Sequence, residues 1–276
     1  MSLAYPSVVG KRSFGRKVFH TVEAYVRIDL VEERMFPATS IMRYIAAVFP
    51  VLLYYFQGSF LDISGQLFVV MVVGTAVVAG LQDALLALTS RLNFAMERGT
   101  LETYLVEPVP WALIPVAMNV WRSCTGALLA CFMVAAGWLL GAPIQGSGVP
   151  GALLVLFLGI VACNALGTFA AAFIVLFKRG EPVVMLFSLA TAVLGGALFP
   201  ISVLPEWIRW ASYLIPQTYV ISAVRQLLIE DVPPDGLSIG VSVGVLAVFA
   251  VVSFAAGLFV FDRALRLARR LGILSI

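Results

Sequence analysis

Charge is scarce in this chain. Of its 276 residues, 12% are Asp, Glu, Lys or Arg and 61% are hydrophobic, whereas soluble domains carry about 25% charged residues. That composition excludes an ordinary soluble globular protein. Histidine is scarcer still. His20 is the only one and it precedes the first long apolar run, so a Ser–His pair or a His-rich metal site inside a membrane has nothing to be built from. The three cysteines, Cys124, Cys131 and Cys163, fall within apolar runs and lack C-x-x-C spacing, which indicates neither a disulfide framework nor a zinc site. A phosphate-binding loop is also missing. The nearest text, Gly10-Lys11-Arg12-Ser13, lacks the preceding glycine and the spacing that cradles phosphates. No internal repeat is evident, and the longest hydrophilic stretch is the first forty residues, too short for a soluble domain. Residues 1–36 are polar and mixed in charge, unlike a cleavable signal peptide, so the first apolar span is expected to act as its own insertion signal.

What the chain has in quantity is apolar runs of the roughly 20 residues that cross a bilayer. They fall at 41–61, 66–89, 113–140, 151–177, 183–203 and 238–261. The expected fold is an all-α membrane protein with six transmembrane helices, divided into an N-terminal region 1–40 and a membrane-spanning region 41–276. Residues 12–36 place Phe14, Val18, Phe19, Val22, Tyr25 and Val26 on one helical face, with Lys11, Arg12, Arg16 and Lys17 at its start. This is either an amphipathic helix lying at headgroup level or a solvated helix packed on the protein itself. Pro50 kinks the first span. The segment 200–230 suits neither a plain span nor a plain loop. It combines Pro200, Pro205 and Pro216 with Trp207, Trp210 and Tyr213, and Trp and Tyr favour the membrane–water boundary. It reads as short re-entrant helices whose irregular backbone is shielded by protein.

Charge asymmetry supports the count of six. Lys11, Arg12, Arg16, Lys17, Arg27, Arg34 and Arg43 lie before or at the first span, Arg91 and Arg98 in the first internal loop, and Lys178 and Arg179 in the second. Arg263, Arg266, Arg269 and Arg270 close the chain. The opposite loops hold Asp62, a neutral turn at 141–150, and Glu230, Asp231 and Asp235. Six spans put every basic cluster and both termini in the cytoplasm; a seventh, through 206–229, would export the Arg-rich tail.

Two polar features stand out. The first is the loop 90–112, whose centre runs Glu97-Arg98-Gly99-Thr100-Leu101-Glu102-Thr103-Tyr104-Leu105-Val106-Glu107-Pro108. Thr100 can cap a short helix and Glu102 suits the positive end of its dipole, while Pro108 and Pro110 stop it. Spacing alone fits an ordinary surface turn equally well. The second is a set of polar groups within the spans. Asp83 and Arg122 sit at similar depth in the inner halves of the second and third spans, and pairing them would offset the roughly 2.5–3.5 kcal/mol of placing a charge at mid-span. Asn119, Asn164 and Gln82 are candidates for the same layer. It is read as a structural pair fixing neighbouring helices, with a polar lining of a transport path as the functional alternative. Gly137/Gly141 and Gly240/Gly244 have G-x-x-x-G spacing, a weak signal in a chain this rich in Gly and Ala.

Glu-Arg-Gly-Thr-Leu-Glu at 97–102, followed by Leu105 and Pro108, resembles the cytoplasmic signature of the type-2 ABC-transporter permease family. Phe199-Pro200-Ile201-Ser202 with Leu204-Pro205, then Pro216-Gln217-Thr218-Tyr219 and Ala223-Val224-Arg225, resembles that family's segment before its last span. The tail from Ala264 to Gly272 resembles its basic C-terminal end. The resemblance implies the membrane subunit of an ABC exporter in a bacterial inner membrane, paired with a second permease (the same chain or another) and two copies of a separate ATP-binding subunit. ATP and Mg would be bound by that partner, with no cofactor and no enzymatic activity in this chain. By the same match Glu97, Arg98, Gly99, Thr100, Leu101 and Glu102 form a coupling helix that contacts the ATPase. Glu107 departs from the small residue often found before this proline, which points to a subgroup-specific docking partner.

Three function classes compete. An ATP-driven exporter working by alternating access leads. An ion-gradient-driven transporter usually needs several membrane-buried carboxylates, half-helices or inverted repeats, and only Asp83 is well placed. An intramembrane enzyme is nearly excluded by the missing groups above. The apolar interior suits a drug- or lipid-like amphipathic cargo. The alternative is a polysaccharide or other cell-envelope precursor, although Arg34-Met35-Phe36-Pro37-Ala38-Thr39-Ser40 matches poorly the Arg- and Tyr-rich block of polysaccharide exporters. Membrane lipids are expected contacts, and nothing points to nucleic acid.

Overall fold

A computed structural model describes residues 14–60, 65–98, 113–177, 188–191, 193–199, 201–230 and 237–270. All regular structure among them is helical. Helix α1 (Phe14–Met35) and helix α2 (Pro37–Phe60) are separated at Phe36. The residue before a proline is pushed out of helical geometry, and Pro37, which has no N–H to satisfy, is suited to the first helical position. Then follow α3 (Gly65–Glu97), α4 (Leu113–Leu139), α5 (Val149–Phe177), the short α6 (Glu206–Ser212), α7 (Pro216–Leu228) and α8 (Ile239–Arg270).

Five of these, α2, α3, α4, α5 and α8, are long and apolar enough to cross a membrane. They coincide with five of the six expected runs, so the protein is an all-helical, multi-pass membrane protein. The remaining run, 183–203, is described only in part. It is helical at 188–191 and 193–194 and turns through 195–199; the rest of it lies outside the described residues. The second span is longer than its apolar stretch. Helix α3 continues through Ser90, Arg91 and Asn93 to Glu97, because polar side chains end an apolar run without ending a helix.

Helix α3 is the hub, buried along most of its length and packed on α4, α5 and α7. It meets α4 closely at Gly80 and Gly126, and α5 at Gly167, where a Cβ would stand 2.4 Å from the Leu85 carbonyl oxygen. A Cβ on Gly80 would stand 2.8 Å from the Gly126 carbonyl oxygen, and one on Gly126 would stand 2.7 Å from that of Gly80. This is the small-residue contact that lets membrane helices meet backbone to backbone. The G-x-x-x-G pairs do other things. Gly137 faces Val72, while Gly141 adopts φ +94° and ends α4. Around it the Ala142 N–H donates to the Gly137 carbonyl and the Gly141 N–H to that of Trp138, both at 3.0 Å, the paired bonds of a left-handed helix cap. Gly240 and Gly244 face open space.

Two core clusters define the ends of the bundle. One joins Tyr25 of α1 to Leu92 of α3, Ile114 of α4, Val175 of α5 and Leu265 of α8. The ends of α3, α5 and α8 and the start of α4 therefore share one end, with α1 laid against it. Arg91, Arg98, Arg263 and Arg266 lie on that end, called here the basic end. The other cluster fills the rest of the bundle and its far end with Phe68, Ala152, Val220 and Leu246 among others. Helix α2 leans on α3 and α4 with Val51 as its one buried residue.

Candidate functional site

Among the described residues, two ion pairs at the basic end join different helices, with further polar groups beside them. Asp83 of α3 pairs with Arg43 at the start of α2, with Arg43 Nη1 3.3 Å from Asp83 Oδ2. Arg122 is therefore not the partner that similar depth suggested. It lies on α4 close enough to act electrostatically on both Asp83 and Asp29. Asp29, 4% exposed on the inner face of α1, receives a hydrogen bond from Arg91 Nη2 through its Oδ1. Burial pushes the Asp29 carboxyl above the usual carboxylate range, against the downward pull of Arg91. Helix α1 is thus bolted to α3 by an ion pair that neither a free surface helix nor a plain amphipathic anchor needs.

Two amides lie beside these charges, Asn119 on α4 and Asn164 on α5. Asn164 Nδ2 donates to Ser123 Oγ at 2.9 Å. Asn119 is buried with neither its nitrogen nor its oxygen hydrogen-bonded. Both line a cleft of about 420 Å³ with Cys124, Phe157 and Phe254. A second cleft, of about 510 Å³, lies toward the far end between Cys131, Trp138, Val149, Leu153 and Leu228 and is almost wholly apolar.

Of the six expected coupling residues, Glu97 and Arg98 are described. Glu97 ends α3 and Arg98 follows in a turn, both exposed. The Arg98 N–H donates to the Phe94 carbonyl at 3.1 Å, and its guanidinium covers the Phe94 ring at 3.8 Å from the centroid. That cation–π contact holds the Arg98 side chain against the last turn of α3. Gly99, Thr100, Leu101 and Glu102 lie outside the described residues.

At the far end the expected re-entrant residues cap two short helices. Pro205 precedes α6 as its N-cap, and Trp207 and Trp210 are exposed on it. Arg209 Nη2 donates to the carbonyls of Ser202 and Leu204 at 2.8 and 2.9 Å, tying down the turn before the helix. Pro216 opens α7 and is buried; Pro200 lies outside the described residues. Below them sits a group that the spacing of prolines and aromatics did not single out. Arg225 of α7 is 1% exposed. Its Nε and Nη2 donate to the Val70 carbonyl of α3 at 3.1 and 2.9 Å. Nη1 reaches the Gly196 carbonyl at 2.8 Å and Nη2 that of Ala197 at 2.7 Å. Gly74 makes the room, since a Cβ there would overlap both the Ala197 carbonyl and the guanidinium. One planar cation thereby locks α7, α3 and the turn at 195–199 together.

Residues 33–229, most of the chain, match the ABC-2 type transporter family. The chain belongs to the ABC-2 type transporter family. The matched region begins at the end of α1 and closes with α7, so it contains both ion pairs' α3 and α2 partners, Glu97 and Arg98, and the Arg225 lock. Members of the ABC-2 family are membrane transport components that generally work with a separate ATP-binding subunit. Comparison with curated proteins returns no match. In this ABC-2 permease the basic end carries exposed Glu97 and Arg98 at the end of α3, and the short helices α6 and α7, held by hydrogen bonds, lie at the far end.

Proposed function

We propose that this protein is the permease subunit of an ATP-driven exporter, moving a drug- or lipid-like amphipathic molecule out across a bacterial inner membrane by alternating access. It pairs with a second permease and two ATP-binding subunits. The observation that carries the reading is the length of α3. Its 33 residues reach about 50 Å at about 1.5 Å per residue, against a hydrocarbon core of about 30 Å. A rigid helix that packs on three others inside the membrane therefore ends outside it at Glu97, where residues 97–102 form the coupling contact. A push on that end is transmitted to the whole bundle.

The chain path supports six crossings. Val175 lies beside Leu92 and Ala95 at the basic end, while the Ala197 carbonyl lies against Gly74. Those two levels are separated by about 30 Å along α3, so the chain passes from one to the other between Val175 and Ala197. With the basic end in the cytoplasm, as the positive-inside rule asks, both termini are cytoplasmic. Helix α1 lies at the cytoplasmic headgroup level. The bare apolar surface of α2 and the two apolar clefts support, respectively, a partner permease and an amphipathic cargo.

The test uses the purified complex with its ATPase in proteoliposomes. A Glu97→Ala, Glu102→Ala double variant is expected to keep its melting temperature and its ATP turnover while losing most ATP-dependent transport. Unchanged transport would overturn the reading.

A further inference from the structure

A third cavity, of about 530 Å³, opens between α1, α2 and α4 at the basic end, and it is unlike the other two because charged side chains line it. Asp29, Glu32 and Glu33 come from α1, Arg43 from α2, and Trp121 and Arg122 from α4. Several of their polar atoms are buried with no hydrogen-bond partner: Asp29 Oδ2, Arg43 Nε and Nη2, and Trp121 Nε1. The ion pairs do not account for them. Arg91 engages Asp29 through Oδ1 and Asp83 engages Arg43 through Nη1, which leaves the other edge of each group open. Buried polar atoms without partners are costly and uncommon in folded proteins. All four belong to side chains that line this one cavity.

We propose that this cavity holds the headgroup of a phospholipid carrying both a phosphate and a primary ammonium, drawn from the leaflet at the basic end. Arg43 Nε and Nη2 and Trp121 Nε1 donate to the phosphate, with the charge of Arg122 nearby. Asp29 Oδ2 accepts from the ammonium, whose charge Glu32 and Glu33 also attract. A purely anionic headgroup meets three carboxylates and offers Asp29 no proton. A trimethylammonium headgroup matches the charge and again has no N–H to donate. The mouth favours a lipid over a soluble zwitterion. Phe36 and Met42 line it, and both are exposed, as is Ile41 beside them, giving an apolar apron for acyl chains beneath a polar pocket. The site also lies at membrane-surface depth. Asp83, which anchors Arg43, is 18 residues from the start of α3, about 27 Å along a helix and so at the edge of a hydrocarbon core of about 30 Å. This inference does not depend on the transport reading, because binding needs neither ATP nor cargo movement.

The test places the full-length protein in phosphatidylcholine nanodiscs and titrates nitroxide-labelled phosphatidylethanolamine, phosphatidylglycerol or phosphatidylcholine while Trp fluorescence is followed. The expected result is saturable quenching by the ethanolamine lipid at low mole fraction, absent in Trp121→Phe, with only linear quenching by the other two. Glu32→Gln, Glu33→Gln, a pair that leaves both ion pairs intact, should weaken the apparent affinity about tenfold, in keeping with loss of charge-assisted contacts. Thermal melting of each variant checks folding. Equal quenching by all three headgroups, or an ethanolamine preference unchanged in the Glu32/Glu33 variant, would overturn the proposal.

Discussion

Replacing Arg225 by methionine removes the cation that locks the far end while keeping a similar unbranched stem. Two effects oppose each other. Losing a buried guanidinium removes its desolvation cost, which is why replacing whole buried ion pairs by apolar groups is often neutral. Here the acceptors stay behind. The Gly196 and Ala197 carbonyls belong to a turn rather than a helix, and each would be left buried without the Arg225 donor at a cost of about 1–3 kcal/mol. The Val70 carbonyl adds less, since α3 offers it a helical N–H. The sum is roughly 2–6 kcal/mol, with lost packing around the charged head on top. For a chain of this size each kcal/mol shifts the melting midpoint by about 2–4 °C, so Arg225→Met is expected to melt roughly 10 °C lower. Arg225→Lys should recover only part of this, because one ammonium cannot spread its donors as a planar fork does. The assay is a thermal melt in a fixed detergent, repeated for Gly74→Ala and for the double variant. Gly74→Ala intrudes on the same contact, so the two changes should combine less than additively. A loss below about 2 °C for Arg225→Met, or strict additivity with Gly74→Ala, would refute the lock.

Two further predictions concern the helix contacts. Gly80→Ala or Gly126→Ala drives a methyl into a facing backbone carbonyl 2.8 or 2.7 Å away, which neither helix can rotate out of the way, and each should cost about 1–3 kcal/mol in a melt. Arg91→Met strands the buried Asp29 carboxylate and should cost about 3–5 kcal/mol, whereas Asp29→Asn should cost clearly less. Since burial raises the Asp29 pKa in the folded protein, its contribution to stability is fully present below the unfolded value of about 3.9 and is lost as pH rises through the higher folded value. Arg91→Met takes away the opposing pull and should extend that loss to higher pH, which melts recorded between pH 4 and 8 would detect.

Much of the fold was legible because bilayer thickness writes itself into sequence as apolar length. Five spans, the helix α1, and the breaks at Pro205 and Pro216 were all readable from local sequence, although Phe19 of the expected apolar face of α1 is exposed. The overrun of α3 to Glu97 was readable too, though by a different signal. No glycine or proline interrupts residues 81–98, so helix propensity carries on where hydropathy stops. Depth likewise grouped Asp83, Arg122, Asn119 and Asn164, but in the fold Asp83 pairs with Arg43 and Asn164 with Ser123.

Depth is only one coordinate, however. Which way a side chain faces around its helix depends on how the helices rotate against each other. That rotation is decided by contacts such as Gly80 on Gly126, between residues far apart in the chain. It is why Asp83 meets Arg43 rather than Arg122, why Asp29 and Arg91 find each other across 62 positions, and why Arg225 turns inward to bind carbonyls of α3 and the turn. The sequence by itself determined that this is a multi-pass helical membrane protein, where five of its spans run, and which end carries positive charge, because those follow from local composition. Only the tertiary structure decided which charges pair, which glycines let helices touch, and which polar edges remain open at the headgroup cavity, because each of those is a relation between helices that no single helix encodes.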